Sequence, residues 1–181
     1  MLLGNTAEFA IESHIEVAYE RRGALALGYF LLHLRNCQFG VKAQDATLLA
    51  CSYDEVARRF SRQGQHVASE LSSVSAKNLA QAYVNAAYAG LSGELETALM
   101  TVATARRLVW APDGDEAFDD GSHVLQFDVS DQVRLIGFRN VDYTVSDVCE
   151  LWMRAETFYT LLSDWTVAFD KEWQQRTKIK G

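Results

Sequence analysis

The chain has a single proline, three cysteines and four histidines, and each scarcity closes off a class of function. Cys37, Cys51 and Cys149 are odd in number and show no CxxC spacing, which argues against a disulfide scaffold or a zinc knuckle. No apolar run approaches the roughly 20 residues a membrane-spanning helix needs. The first residues lack a basic n-region and are interrupted by Glu8 and Glu12, so they do not read as a secretory signal. A phosphate-cradling P-loop, GxGxxG, GxSxG and HExxH are all missing. Positive charge is short as well. Seventeen Lys and Arg face twenty-four Asp and Glu, a net charge of −7. That balance disfavours nucleic-acid binding, which needs a basic stripe against phosphates. It is compatible with docking onto a basic protein, whose complementary potential speeds encounter. The expectation from these absences is a cytoplasmic protein that binds neither nucleic acid nor membrane.

What is present reads as one globular domain over residues 1–181, with 49% hydrophobic and 23% charged residues. A chain of this length can bury roughly 70% of its unfolded surface. Phe9, Ile11, Ile15, Val17 and Tyr19 alternate with Ala10, Glu12, His14, Glu16 and Ala18, the pattern of a strand with one face on a core. Residues 25–34 are apolar on both faces and read as a central strand. After a turn at Asn36, residues 38–41 complete a three-stranded antiparallel meander. Residues 45–49 add a short piece.

Ser52-Tyr53-Asp54-Glu55 has the spacing of a capping box, which predicts a short helix through Arg59 and Phe60 that ends near Gly64, with Val56 and Phe60 on its apolar face. Residues 75–107 are Ala-rich. Leu79, Ala82, Tyr83 and Ala86 form one helical stripe and Leu95, Leu99, Val102 and Ala103 another, separated by Gly90 and Gly93. Strands return at 108–110, 124–129, 133–138 and 148–153, with Ser130-Asp131 as a tight turn. Phe158, Leu161, Leu162, Trp165, Phe169 and Trp173 then recur at helical spacing, with Lys178 and Lys180 closing the helix. The order predicts an α+β fold. Its antiparallel sheet, built from the N-terminal meander and the C-terminal strands, packs on several helices, including a C-terminal amphipathic one.

Few residues invite a chemical role. Cys37 with His33 or His14 could in principle pair as nucleophile and base, but neither proximity nor a lowered pKa is visible in a sequence. His66 and His123 have no metal-ligand partner at useful spacing. Asp113, Asp115, Glu116, Asp119 and Asp120 superficially resemble a calcium loop, but the alternation breaks after Asp115, and Pro112 and Phe118 do not belong in one. Two readings stand: a solvated turn, or an acidic loop that meets basic residues of a partner. Trp152, Trp165 and Trp173 read as core aromatics, with an exposed role most open for Trp173. No catalytic residue, metal or cofactor is assigned.

Leu3-Gly4-Asn5-Thr6-Ala7-Glu8-Phe9-Ala10-Ile11-Glu12 resembles the opening of the immunity protein 42 family, whose members begin with Gly, a polar pair and Phe-Ala-Ile-Glu. The likeness continues at Gly28-Tyr29-Phe30, Asn36 and Gly40. It returns more loosely at Arg134-Leu135-Ile136-Gly137-Phe138 and from Phe158-Tyr159 to Trp165. Arg35-Asn36-Cys37 stands where the family has an Asn-Gly turn, and the Ala-rich middle has no counterpart in the resemblance. The family's members are antidotes in bacterial polymorphic-toxin and contact-dependent inhibition systems. The resemblance thus implies a cytoplasmic, non-enzymatic inhibitor that binds one cognate toxin domain, a nuclease being one candidate. It carries over no binding residues. Charge points to Asp113, Asp115, Glu116, Asp119 and Asp120 as the contact surface, with Glu12 and Glu16 on the first strand as second choice. Two rival readings are a small cysteine-dependent hydrolase or transferase around Cys37 or Cys149, and a homo-oligomer assembled through the C-terminal helix.

Overall fold

Alternation over residues 9–19 produces the strand it predicts, and the rest of the N-terminal sheet forms around it. A computed structural model describes residues 1–21, 23–110 and 116–180. Strand β2 (Phe9–Tyr19) pairs antiparallel with β3 (Ala26–Leu34), which pairs with β4 (Cys37–Phe39), giving the expected meander. β1 (Leu2–Gly4) covers the other edge of β2, and β5 (Thr47–Leu48) pairs with β3. The period-two pattern holds only as far as Ile15. A bulge between Ile15 and Val17 shifts the register. Beyond it Ala18 is buried and Val17 and Tyr19 are half-buried, opposite to the expected faces, because one extra residue turns each later side chain over.

Helix α1 (Leu49–Ser61) starts three residues before the predicted cap. Ser52 therefore lies inside it, buried and without a hydrogen-bond partner at Oγ, and Glu55 pairs with Arg58 and Arg59 instead of closing a capping box. Val56 is buried as expected, whereas Phe60 is exposed. Arg59 takes the inner position. Its guanidinium lies 4.7 Å from the centre of the Trp110 ring and donates to Gln126 Oε1 at 2.9 Å and Val109 O at 2.6 Å.

Helices α2 (Ala76–Ala87) and α3 (Glu94–Arg106) flank the glycine break as predicted, and Ser75 Oγ caps α2 by accepting from Asn78 N. Residues 108–110 form no strand; only Val109 bridges to Leu125. β6 (Ser122–Val129), β7 (Gln132–Val141) and β8 (Thr144–Arg154) form a second antiparallel sheet in that order. Its two faces serve two cores. Val124, Val133, Leu135 and Leu151 join the core shared with the first sheet, α1 and α4 (Ala155–Gln175). Leu125, Phe127, Ile136 and Phe138 join the core under α2 and α3. β6 and the middle of β7 are buried on both faces, with Gln126, Asp128 and Arg134 as buried polar residues among the apolar ones, whereas β8 buries only Leu151.

α4 buries Phe158, Leu162, Trp165, Phe169 and Trp173, all from the predicted stripe, together with Tyr159. Its tryptophans also satisfy their polar edges. Trp165 Nε1 donates to Ser13 Oγ at 3.1 Å, and Trp173 Nε1 to Leu25 O at 2.8 Å, which settles Trp173 as a core residue. The helix stops at Gln175, and Lys178 belongs not to its last turn but to β9 (Lys178–Ile179), which runs parallel to β2. Cys37 and Cys149 form a disulfide between β4 and β8, against the expectation of no such framework. The pairing needed the two sheets to meet, which spacing does not show. Among the described residues no helix is long and apolar enough to cross a membrane.

Candidate functional site

The acidic loop is positioned by the two apolar residues inside it. Ala117 and Phe118, in the short 3-10 turn Glu116–Phe118, are buried, and Phe118 packs edge-on against Phe30 with ring centres 6.2 Å apart. Val41 N donates to Ala117 O at 2.8 Å, and Gly40 N to Ser122 Oγ at 3.1 Å. Gly40 has φ +114, and a Cβ there would stand 2.8 Å from Phe30 O and 3.0 Å from Ala117 O, so only glycine lets the two segments approach this closely. With its apolar residues plugged in, the turn leaves Glu116, Asp119 and Asp120 at the surface. Asp113 and Asp115 lie outside the described residues.

The following residues bind this segment to the tip of the β7–β8 hairpin. Asn140 N donates to Gly121 O at 2.9 Å. Arg139 reaches Asp120 at 3.5 Å, Asp147 at 3.1 Å and Gln38 O at 2.7 Å. At the tip, Asp142 (φ 49) and Tyr143 (φ 64) are both left-handed, as a two-residue type I′ turn requires. Tyr143 is 61% exposed and Val141 54%. One end of the second sheet thus carries Glu116, Asp119 and Asp120 beside the hairpin that exposes Asp142, Tyr143 and Asp147. Asp142, Tyr143 and Asp147 were not singled out from sequence. Their signal was a polar interruption between two apolar strand runs, which marks a turn but not which strand end it will lie beside.

Glu12 and Glu16 are placed differently from each other. Glu12 sits on the outer face of β2, accepting from Tyr29 Oη at 3.1 Å, with His33 Nε2 at 3.0 Å and Lys42 Nζ at 2.8 Å. Burial opposes its ionisation, but the bonds from Lys42, His33 and Tyr29 outweigh it and hold the carboxyl below its ordinary pKa. Its charge is thus neutralised internally. Glu16 is exposed at the bulge, 3.1 Å from His14. The 40–42 segment touches both regions, binding Ala117 through Val41 and Glu12 through Lys42.

A buried polar group lies deeper. Tyr159 Oη donates to Asp128 Oδ1 at 2.7 Å, Gln126 Nε2 lies 2.9 Å from Tyr159 Oη, and His66 N donates to Asp128 Oδ2 at 3.0 Å. Burial lowers the Arg59 pKa to about 10 and raises that of Tyr159, so at neutral pH the first stays charged and the second neutral. These groups bond to one another in the interior, the arrangement of a structural network, with His66 Nε2 left without a partner among the described residues. Among the described residues no group of three or more His, Cys, Asp or Glu could hold a metal ion. The sulfurs of Cys37 and Cys149 are bonded to each other and so are not nucleophiles; Cys51 is the free thiol.

The model of the immunity protein 42 family matches residues 1–168, the first sheet through most of α4. The chain belongs to that family. Among solved structures, this immunity protein is similar to CdiI from Burkholderia dolosa AUO158, with a TM-score of 0.61 at 16% identity, over 93% of this chain and 99% of that one. At that identity the likeness is one of fold. No curated protein matches.

Proposed function

We propose that this immunity protein neutralises a cognate toxin domain by stoichiometric binding, without catalysis, and that the acidic end of the second sheet is its docking surface. Family membership and the fold shared with a CdiI support the first part. The observation that carries the second is the exposed Tyr143 on the two-residue hairpin turn, at the sheet end where Asp120 and Asp147 share Arg139. Exposed aromatics on fixed backbone are the common anchors of interfaces, because they lose little entropy on binding. Glu116, Asp119, Asp120, Asp142 and Asp147 at this end of the sheet would steer a basic partner and reject an acidic one. A docking face of about 800 Å² is needed for a stable complex. It would take in Glu116, Asp119 and Asp120 together with the hairpin tip. A basic toxin face is what a nuclease presents to its substrate, so a nuclease toxin fits this charge pattern.

The test measures binding to a cognate toxin domain. Asp119→Asn with Asp120→Asn should slow association and flatten its salt dependence. Tyr143→Ala should speed dissociation, with a combined loss of affinity of roughly a hundredfold. Wild-type affinity in the triple variant would remove this surface from the interface.

A further inference from the structure

On a protein of net charge −7, five arginines lie at the C-terminal ends of α1 and α3, and two of them, Arg58 and Arg107, line the crevice between the helices. Arg58, Arg59 and Arg62 come from the first, Arg106 and Arg107 from the second. A crevice of about 400 Å³ opens between the two helices, with Tyr83, Met100, Ala103 and Val109 as its apolar floor and Arg58 and Arg107 on its rim. Glu55 lines it too, but its two oxygens are already held by Arg58 at 3.0 Å and by the buried Arg59 at 2.9 Å. Of the two guanidiniums that line the crevice, Arg58 is paired with Glu55 and Arg107 is not. Arg62, Arg106 and Arg107 have no carboxylate within 4.0 Å among the described residues, and Arg62 Nε is buried with no hydrogen-bond partner among them.

The helix end that would repel an anion is itself occupied. Ala103 O accepts from Leu108 N and from the α3 cap amide of Arg107, and Arg106 O lies 2.9 Å from His66 Nδ1. Arg107 takes a left-handed conformation (φ 52), which ends α3 and leaves its side chain on the crevice rim. Volume, an apolar floor and an excess of guanidinium charge occur together here, the composition of a small-ligand pocket.

We propose that this crevice is a binding site for a small organic anion: a phosphate or carboxylate carried on a flat apolar body. The guanidiniums of Arg58 and Arg107 take the anion by charge-assisted hydrogen bonds, and the ring system lies on Met100, Ala103 and Tyr83. The site is remote in sequence from the acidic end and does not depend on the toxin reading. Because its walls belong to α1 and α3, an occupant would clamp two helices that pack on different cores, and so would raise thermal stability.

Thermal unfolding and calorimetry of the full chain test this with phenyl phosphate, adenosine monophosphate and benzoate as probes, and phenol, adenosine and inorganic phosphate as controls. A saturable rise in Tm is expected with the aromatic anions and none with the neutral compounds; whether phosphate or carboxylate is preferred identifies the headgroup. Arg107→Asn, which keeps a residue suited to left-handed backbone, and Arg58→Gln should each weaken binding roughly tenfold or more. Thr104→Trp, at an exposed position on the wall, should block the crevice while the unliganded protein keeps its Tm. The proposal is overturned by no saturable response to any aromatic anion, or by inorganic phosphate binding as well as phenyl phosphate. It is equally overturned if Arg107→Asn leaves the response unchanged. It also fails if that variant loses toxin binding while small anions never bind, since the crevice would then serve a carboxylate of the toxin.

Discussion

His66 sits where the long connection after α1 crosses the second sheet, with Nδ1 2.9 Å from Arg106 O and its backbone amide on Asp128. Burial and the neighbouring charge of Arg59 both press its pKa below the ordinary value, outweighing Arg106 O and Asp128. The folded state therefore favours neutral imidazole. Its contribution is fully present above the unfolded pKa of about 6.5 and is lost as pH falls from there toward the lower folded pKa. Glu12, also depressed, adds a second loss below the ordinary carboxylate range. Denaturant titrations between pH 8 and pH 5 should show stability declining below about pH 6.5. His66→Gln should flatten that decline, and an unchanged slope would place the titration elsewhere. At this scale little was legible. An arginine on a helix face gives no sign of burial in the sequence, and it is the ion pair with Glu55, the bonds to Gln126 and Val109 O and the Trp110 ring that make the burial of Arg59 tolerable.

The β7–β8 hairpin sets turn chemistry against recognition. A type I′ turn prefers Asn-Gly, yet Asp142-Tyr143 occupies it, and an aromatic residue in left-handed backbone costs about 1 kcal/mol relative to glycine. Tyr143→Gly should accordingly raise Tm while it weakens toxin binding. A variant that loses stability would contradict the turn assignment, and one that binds normally would contradict the anchor role. Elements as such are well marked in the sequence: both helices about the glycine break, the N-terminal meander, the turn at Ser130-Asp131 and the C-terminal stripe follow from local patterns. Their ends were less so. The bulge after Ile15, the start of α1 at Leu49 and the conversion of Lys178 from helix end to strand all depend on partners far along the chain.

The two cores share one wall, the second sheet, and the Cys37–Cys149 bond ties that sheet to the first across 112 residues of chain. Neither core can be exposed without stripping a face from β6 and β7. We therefore propose that the chain unfolds as one unit, with a single transition followed equally by tryptophan fluorescence and far-UV circular dichroism. Cys37→Ser with Cys149→Ser should lower stability by about 2–4 kcal/mol, and reductant should reproduce the loss in the wild type. An unchanged Tm under reductant would show that packing alone joins the sheets.

Local rules were enough for what repeats along the chain. Period two gave strands, period 3.6 gave helices, glycines gave breaks, and the residues of the first strand gave the family. Those signals depend only on near neighbours, whose geometry the backbone dictates. Which charges are neutralised and which are offered was decided by the tertiary structure. Glu12 and Asp120 are both acidic, but Lys42, His33 and Tyr29 surround the first, while the second shares Arg139 with Asp147 at the surface. The Cys37–Cys149 bond and the arginine-rimmed crevice arise in the same way, from segments that meet only in the fold. Electrostatic and covalent partners are chosen by distance in space, and sequence records distance along the chain.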